Sequence, residues 1–398
     1  MKKNIAWIYN LFLVLLILPF FEPTYISVNF SKLHSLINLW KIGNLFIVLL
    51  IYIKNMKISK YMIGILLYEF IVIFSTCINT SGNLNLAILD AISIIGICMI
   101  LEYELTLKPK RILGILEIVF ILLITINFIS ILKYPNGLYA TERYKNNWVL
   151  GYDNVHIVTF IPALMISMIN GYFKGDKLTL KFLYLLTICN LSVFICWSGN
   201  SLVAIILFDL FIIFKNRIIH NSNIFNYTNY LIVHISLFVS IVILRLQKIF
   251  SWLVVDILHK NLTFTGRTYI WDSTLELISR RKVIGYGVET SFIRTFKLGN
   301  KNATHAHNHI LEIVYKSGII GMIIYMYILY IVGKSLNYYK KNIISAIISF
   351  SILIFFIMML IEARDKMQFY IILIMGYFIK YIIDGINITR KKLNLRKI

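Results

Sequence analysis

The chain has 398 residues, of which 59% are hydrophobic and only 15% charged, and its formal net charge is +22. Globular domains average roughly 45–50% apolar and about 25% charged residues, so a soluble enzyme, a secreted disulfide scaffold and a disordered tail are excluded. The basic residues punctuate apolar runs instead of forming one patch, which is how loops beside an anionic leaflet read and excludes a nucleic-acid partner.

Apolar runs at 4–21, 36–53, 61–78, 84–101, 112–132, 155–173, 178–196, 201–214, 230–244, 317–333, 343–361 and 368–383 predict about 12 transmembrane helices. The first run follows Lys2 and Lys3, but Pro19-Phe20-Phe21-Glu22-Pro23 offers no small-x-small cleavage site, so a retained helix is expected. The four cysteines, Cys77, Cys98, Cys189 and Cys196, fall within the apolar runs and read as small packing residues. With the N-terminus inside, the inner segments hold 22 Lys and Arg and the short outer loops 7. The remaining 11 lie in residues 245–316, a segment long enough to escape the positive-inside rule. Both termini are therefore expected in the cytoplasm and 245–316 outside.

The expected fold is all-α, a polytopic membrane protein with a large extracytoplasmic loop. Residues 1–244 carry about nine spans, 245–316 form the outward loop, and 317–398 add C-terminal helices and a basic cytoplasmic tail. Within the loop, Phe250 to Asp256 suggests an interfacial helix and Gly266 to Arg281 a short amphipathic one. Gly285-Tyr286-Gly287 forces a turn, and Thr304 to Lys316 reads as a helix start. A smaller outward loop, 133–154, contains Arg143 and Trp148 to Asn154.

The densest polar cluster is Thr304-His305-Ala306-His307-Asn308-His309, with Glu312 a turn further on. Three readings are open. His305 and His309 at i,i+4 with Glu312 form a sparse metal set that matches no zinc motif. The segment is otherwise a merely polar loop, or one histidine is a general base. The third reading gains from Arg267, Arg280-Arg281-Lys282 and Arg294 upstream, since guanidinium groups grip phosphate oxygens. Arg280-Arg281-Lys282 also reads as a solvated basic turn. An imidazole beside fixed cations suits a sugar joined to a lipid through pyrophosphate, where the base takes the acceptor proton and a cation meets the leaving charge.

Gly266-Arg267-x-x-x-Trp271, Gly285-x-Gly287, His305-x-His307-Asn308-x-x-Leu311-Glu312 and Gly318-Ile319-Ile320-Gly321 together resemble the O-antigen ligase and polysaccharide-polymerase (Wzy-type) superfamily. Trp148 to Asn154 is similar to that family's loop before a middle helix. The resemblance implies a GT-C-like inverting glycosyltransferase of the bacterial inner membrane, needing no metal or cofactor. Its substrate would be undecaprenyl-pyrophosphate-linked oligosaccharide, polymerised into a capsular, O-antigen or exopolysaccharide. A flippase and a chain-length regulator of the same pathway are the implied partners, besides the bilayer. His307, with His305 next, maps to the essential histidine, and Arg267 to the arginine at the donor pyrophosphate. Trp271, Arg280, Gly285, Gly287, Asn308 and Glu312 are candidate substrate contacts. Ligases of the family carry an arginine just after a serine where this chain has Ser198-Gly199-Asn200-Ser201, so Arg143 or Arg245 is the candidate substitute.

Two other activities fit the same residues. A ligase moving finished polysaccharide to an acceptor shares the donor chemistry. A flippase would use the intramembrane carboxylates Glu69, Asp90, Glu117 and Asp209 as a path, but no matched Gly/Pro-broken segments mark two halves.

Overall fold

Backbone in lipid has no water to satisfy its polar groups, so apolar runs become helices, and all twelve predicted runs fall on helical segments. The computed structural model describes residues 2–55, 57–175, 178–246, 266–300, 303–364 and 366–395. The expected interfacial helix at 250–256 lies outside the described residues. Helices α1 (Lys2–Ile17), α2 (Thr24–Asn29), α3 (Ser31–Asn55), α4 (Lys60–Ile78), α5 (Leu84–Leu107) and α6 (Pro109–Lys133) lead into a two-stranded antiparallel ribbon, β1 (Asn147–Trp148) and β2 (Gly151–Tyr152). Next come α7 (Asp153–Tyr172), α8 (Leu180–Cys196), α9 (Gly199–His220) and α10 (Tyr227–Leu237), the last continued by a π-helical turn, Phe238–Ile243. The helices α11 (Arg267–Arg280) and α12 (Ser291–Lys297) lie between the two membrane blocks. α13 (His309–Tyr338), α14 (Ile343–Met359), α15 (Met367–Tyr377) and α16 (Ile379–Leu395) complete the chain.

The expected twelve spans are not reached. Among the described residues six helices are long and apolar enough to cross a membrane, or seven if α15 and α16 count as one bent span. Most of the shortfall is one of length: apolar helices such as Leu180–Cys196, Tyr227–Ile243 and Ile343–Met359 run to 17 residues or fewer, below the ~20 that ~30 Å of hydrocarbon requires.

Helix α7 is the hub. Its apolar window is 89% buried, and α6, α8, α9, α14 and α15 pack around it. The outer helices turn large apolar side chains outward, among them Phe70, Leu122, Ile129 and Ile213. Such faces are costly in water and neutral in lipid.

Two features place the polar end of the bundle. Helix α13 breaks at Gly318 (φ 61°, ψ −163°), a conformation open essentially only to glycine. The carbonyls of Tyr315 and Lys316 freed by the break accept from the amides of Tyr286 (2.7 Å) and Gly287 (2.9 Å). The amide of Ile319 in turn donates to the carbonyl of Lys282 (2.9 Å). Residues 282–287 thus plug the break and satisfy the interrupted ladder. Asn308 caps the other end of the same half-helix, its Oδ1 accepting from the Leu311 amide at 3.0 Å. The predicted helix from Thr304 therefore starts only at His309.

Candidate active site

The loop between α14 and α15 is short, and it is tied to the start of α13. Asn308 Nδ2 donates to the carbonyl of Leu360 at 3.0 Å, and the Arg364 amide faces His309 Nδ1 at 3.4 Å. These ties bring Glu362 under the histidine segment. Its carboxylate lies 2.8 Å from His305 Nε2, 3.5 Å from His307 Nδ1 and 3.6 Å from a terminal nitrogen of Arg267. The guanidinium of Arg364 also acts on Glu362 through its charge, and it donates to the carbonyl of Asn154 at 2.9 Å. One buried carboxylate therefore gathers two imidazoles and two guanidinium groups.

The two imidazoles differ in what is left free. His305 Nδ1 accepts from the His307 amide at 3.1 Å, so its proton resides on Nε2 and is donated to Glu362. Both of its ring nitrogens are engaged. His307 directs Nδ1 at the carboxylate, and its Nε2 has no partner among the described residues. Its backbone is left-handed, with φ 47°, and its carbonyl accepts from the indole of the buried Trp271 at 3.3 Å. Trp271 thus anchors the backbone at His307.

Burial lowers the pKa of His305 below its ordinary value, against the opposing pull of Glu362, and favours a neutral ring. Burial by itself would raise the carboxyl of Glu362. The hydrogen bonds from His305 and His307 and the charge of Arg364 outweigh it and hold the group well below the usual carboxylate range. The buried Nε atoms of Arg267 and Arg364 and one terminal nitrogen of Arg245 lack hydrogen-bond partners among the described residues. Buried donors are nearly always satisfied, and these guanidinium nitrogens are free to donate to oxygens from outside the chain.

The other predicted residues divide. Arg143 donates to Thr304 Oγ1 beside His305. Arg245 pairs with Asp272 and lies 5.0 Å above the Trp271 ring. Glu312 does not reach for a ligand. It pairs with Arg294 at 2.6 Å and accepts from the Ala306 amide at 2.9 Å, fixing the chain between the two histidines. Asn308 is fully buried in its capping role. Arg280 is exposed and pairs with Glu276 on α11, so it is not brought to the cluster. Gly285 and Gly287 do not approach it either: a Cβ on Gly285 would meet the Tyr315 carbonyl at 2.5 Å and one on Gly287 the Thr76 backbone at 2.4 Å. They serve the plugged break. The i,i+4 pair of His305 and His309 does not form, because His305 precedes the helix and His309 turns inward to Tyr325 Oη at 3.0 Å.

Residues that sequence reading missed are Glu362 and Arg364. The second stands where an arginine had been sought: Ser198 Oγ bonds the side chain of Asn154, whose carbonyl Arg364 holds. The signal was there, a Glu-Ala-Arg triplet isolated between two apolar runs. Of the four intramembrane carboxylates, Glu69 and Asp90 line a cavity of about 140 Å3 with Lys316 and Lys366. Lys316 stands 3.7 Å from Glu312, so this cavity adjoins the cluster. Glu117 accepts from Ser167 at 2.6 Å and Asp209 from Asn190 at 3.4 Å, both between helices.

The ligand atoms of His305, His307 and Glu362 lie within 4.8 Å of one another, a spacing that a metal ion could bridge. Arg267 and Arg364 oppose it. A unit positive charge ~4 Å from another costs about 4 kcal/mol at an effective dielectric near 20, and a divalent ion doubles that.

Residues 157–326 match the family model described as O-Antigen ligase. That stretch runs from α7 to α13 and includes Arg267, His305 and His307, but not Glu362 or Arg364. Over 82 residues the chain is 28% identical to the exopolysaccharide production protein ExoQ of Rhizobium meliloti (strain 1021), which covers 18% of this chain and 19% of that protein. The chain thus aligns with about a fifth of the curated relative's length. No solved structure matches.

Proposed function

We propose, from the match of residues 157–326 to the O-Antigen ligase family model and the likeness to ExoQ, that the chain is a GT-C-like membrane glycosyltransferase of the O-antigen ligase and polysaccharide-polymerase superfamily that polymerises undecaprenyl-pyrophosphate-linked repeat units into a surface or exopolysaccharide. One observation carries the reading: Glu362 gathers His305, His307 and Arg267 within 3.6 Å, with Arg364 alongside. The growing chain on its pyrophosphate carrier is the donor. A hydroxyl of the incoming unit attacks the anomeric carbon from the face opposite the pyrophosphate, forming the glycosidic bond as the bond to the leaving oxygen breaks, with inversion.

His307 Nε2 takes the hydroxyl proton, and Glu362 steadies the resulting imidazolium, a role worth roughly 10²–10⁴-fold in rate. His305, with both nitrogens engaged, is a positioning residue that orients the carboxylate. Arg267 and Arg364 receive the leaving pyrophosphate, their orphaned Nε atoms supplying the donors. Arg245 and Arg143 lie close enough to extend this surface, and the cavity of Glu69 and Asp90 suits acceptor hydroxyls. No metal takes part, so polymerisation proceeds in excess EDTA. The site faces outward from the inner membrane, with both termini in the cytoplasm.

The test is genetic and direct. His307→Ala, at normal membrane abundance, removes the long-chain ladder on a gel; an unchanged ladder overturns the assignment. A ligase is the second reading, favoured by the description of the matching family model. Deletion separates the two: single lipid-linked units accumulate if the protein polymerises, and long unattached chains if it ligates.

A further inference from the structure

At the opposite end of α7 a second site is built. Asn154 touches Arg364 near the histidines, whereas Asn170 lines a cavity of about 1170 Å3. Sixteen helical residues separate them, about 24 Å at 1.5 Å each, close to the thickness of the hydrocarbon core. The two sites therefore belong to opposite leaflets.

Lys108, Lys110, Arg111, Lys174 and Lys181 line this cavity, against the carboxylates of Glu117 and Asp384. Arg111 is committed: its Nε and a terminal nitrogen donate to Glu104 at 3.0 and 2.6 Å. Lys181 lies 3.9 Å from Glu117. Among the described residues no ion pair engages Lys108, Lys110 or Lys174. The 25-residue α6 begins here, uncapped by any side chain, and adds the positive end of its dipole. Below the cations the wall is apolar, with Ile115, Ile118 and Phe173. Helix α16 turns 66° away from α15, buries Ile382, Ile383 and Ile386, and exposes Lys380 and Lys391. It has the form of a helix lying in the membrane interface, and its Gly385 and Ile388 close the cavity's side.

We propose that this cavity binds the headgroup phosphate of an anionic phospholipid drawn from the leaflet facing away from the histidine cluster. Three lysines without an ion pair among the described residues, over an apolar floor at headgroup depth, match a phosphate joined to acyl chains. Free phosphate offers the same oxygens, but the volume exceeds the ~300–1,000 Å3 typical of pockets for drug-sized ligands, and the apolar floor would remain empty. This inference does not depend on the glycosyl-transfer reading.

The experiment uses full-length protein in detergent, titrated with phosphatidylglycerol, phosphatidylcholine or inorganic phosphate. Bound lipid is counted by native mass spectrometry. Phosphatidylglycerol is expected to bind at least tenfold tighter than phosphatidylcholine. Each of Lys108→Gln, Lys110→Gln and Lys174→Gln should weaken it about fivefold, the equivalent of about 1 kcal/mol per basic residue. Lys→Arg at the same positions should retain it, and Lys341→Gln, exposed outside the cavity, should leave it unchanged. Equal affinity for the two lipids overturns the proposal, as does full binding by the triple Gln variant. Competition by millimolar inorganic phosphate at lipid-like affinity also overturns it, in favour of a free-phosphate site.

Discussion

Replacing Glu362 with glutamine tests the central arrangement most sharply, because it keeps the shape and removes the charge. At the 3.6 Å that separates Glu362 from Arg267, an ion pair is worth about 4.6 kcal/mol at an effective dielectric near 20. Removing one partner of such a buried group typically destabilises by about 3–5 kcal/mol. The imidazolium formed on His307 loses its counter-charge, so kcat should fall by about 10²–10⁴. Donor binding should move the other way. The carboxylate competes with pyrophosphate for Arg267 and Arg364, and its neutralisation leaves those guanidinium groups free for the substrate. The expected signature is a collapsed kcat with an equal or lower KM for the lipid-linked donor. Purified protein in nanodiscs, supplied with repeat units and followed by product length, measures both. A raised KM with kcat preserved would refute the assignment of Glu362 to His307.

Other outcomes follow from the same geometry. Arg364→Lys keeps the charge but loses the planar fork, so kcat/KM should fall at least tenfold, while Arg280→Gln, exposed and paired only with Glu276, should change it less than twofold. Gly318→Ala places a Cβ 2.2 Å from the Val283 carbonyl at a positive φ and should cost at least about 1–3 kcal/mol in thermal unfolding; Gly43→Ala, with open space around it, should cost nothing. Stability should fall with acid in two stages. The folded pKa of His305 lies below 6.5, so below pH 6.5 the unfolded chain takes a proton that the folded one refuses, and stability drops. Glu362 has a folded pKa below 4.5, so its contribution is whole above 4.5 and disappears only as pH falls through the lower folded value. Comparing Tm against pH for wild type and His305→Gln isolates the first stage, which the variant should lack.

Helices were legible where a local pattern made them. The apolar runs marked the membrane elements, and Gly266 to Arg281 marked α11 almost to the residue. Their lengths were less legible, because an apolar run such as 343–361 can form a 17-residue helix that falls short of a span. The histidines and Arg267 lie within 41 positions of one another, so spacing could find them. Glu362 arrives from 55 positions beyond His307, carried by packing between α13 and the α14–α15 loop, and no spacing rule reaches that far. Gly285 and Gly287 were legible as a turn but not as a plug, since the break they fill is created by Gly318 some thirty residues later.

That inserted segment ties the fates of two side chains together. Residues 282–287 follow directly from the helix bearing Arg267, and they are keyed into the helix that His307 introduces. Flexing of the surrounding helices would therefore carry guanidinium and imidazole as one splinted unit. Under the proposed reaction, repeat units of unequal bulk would be accommodated by movement of the outer walls, while the spacing between the proposed base and the proposed pyrophosphate-binding group would stay the same.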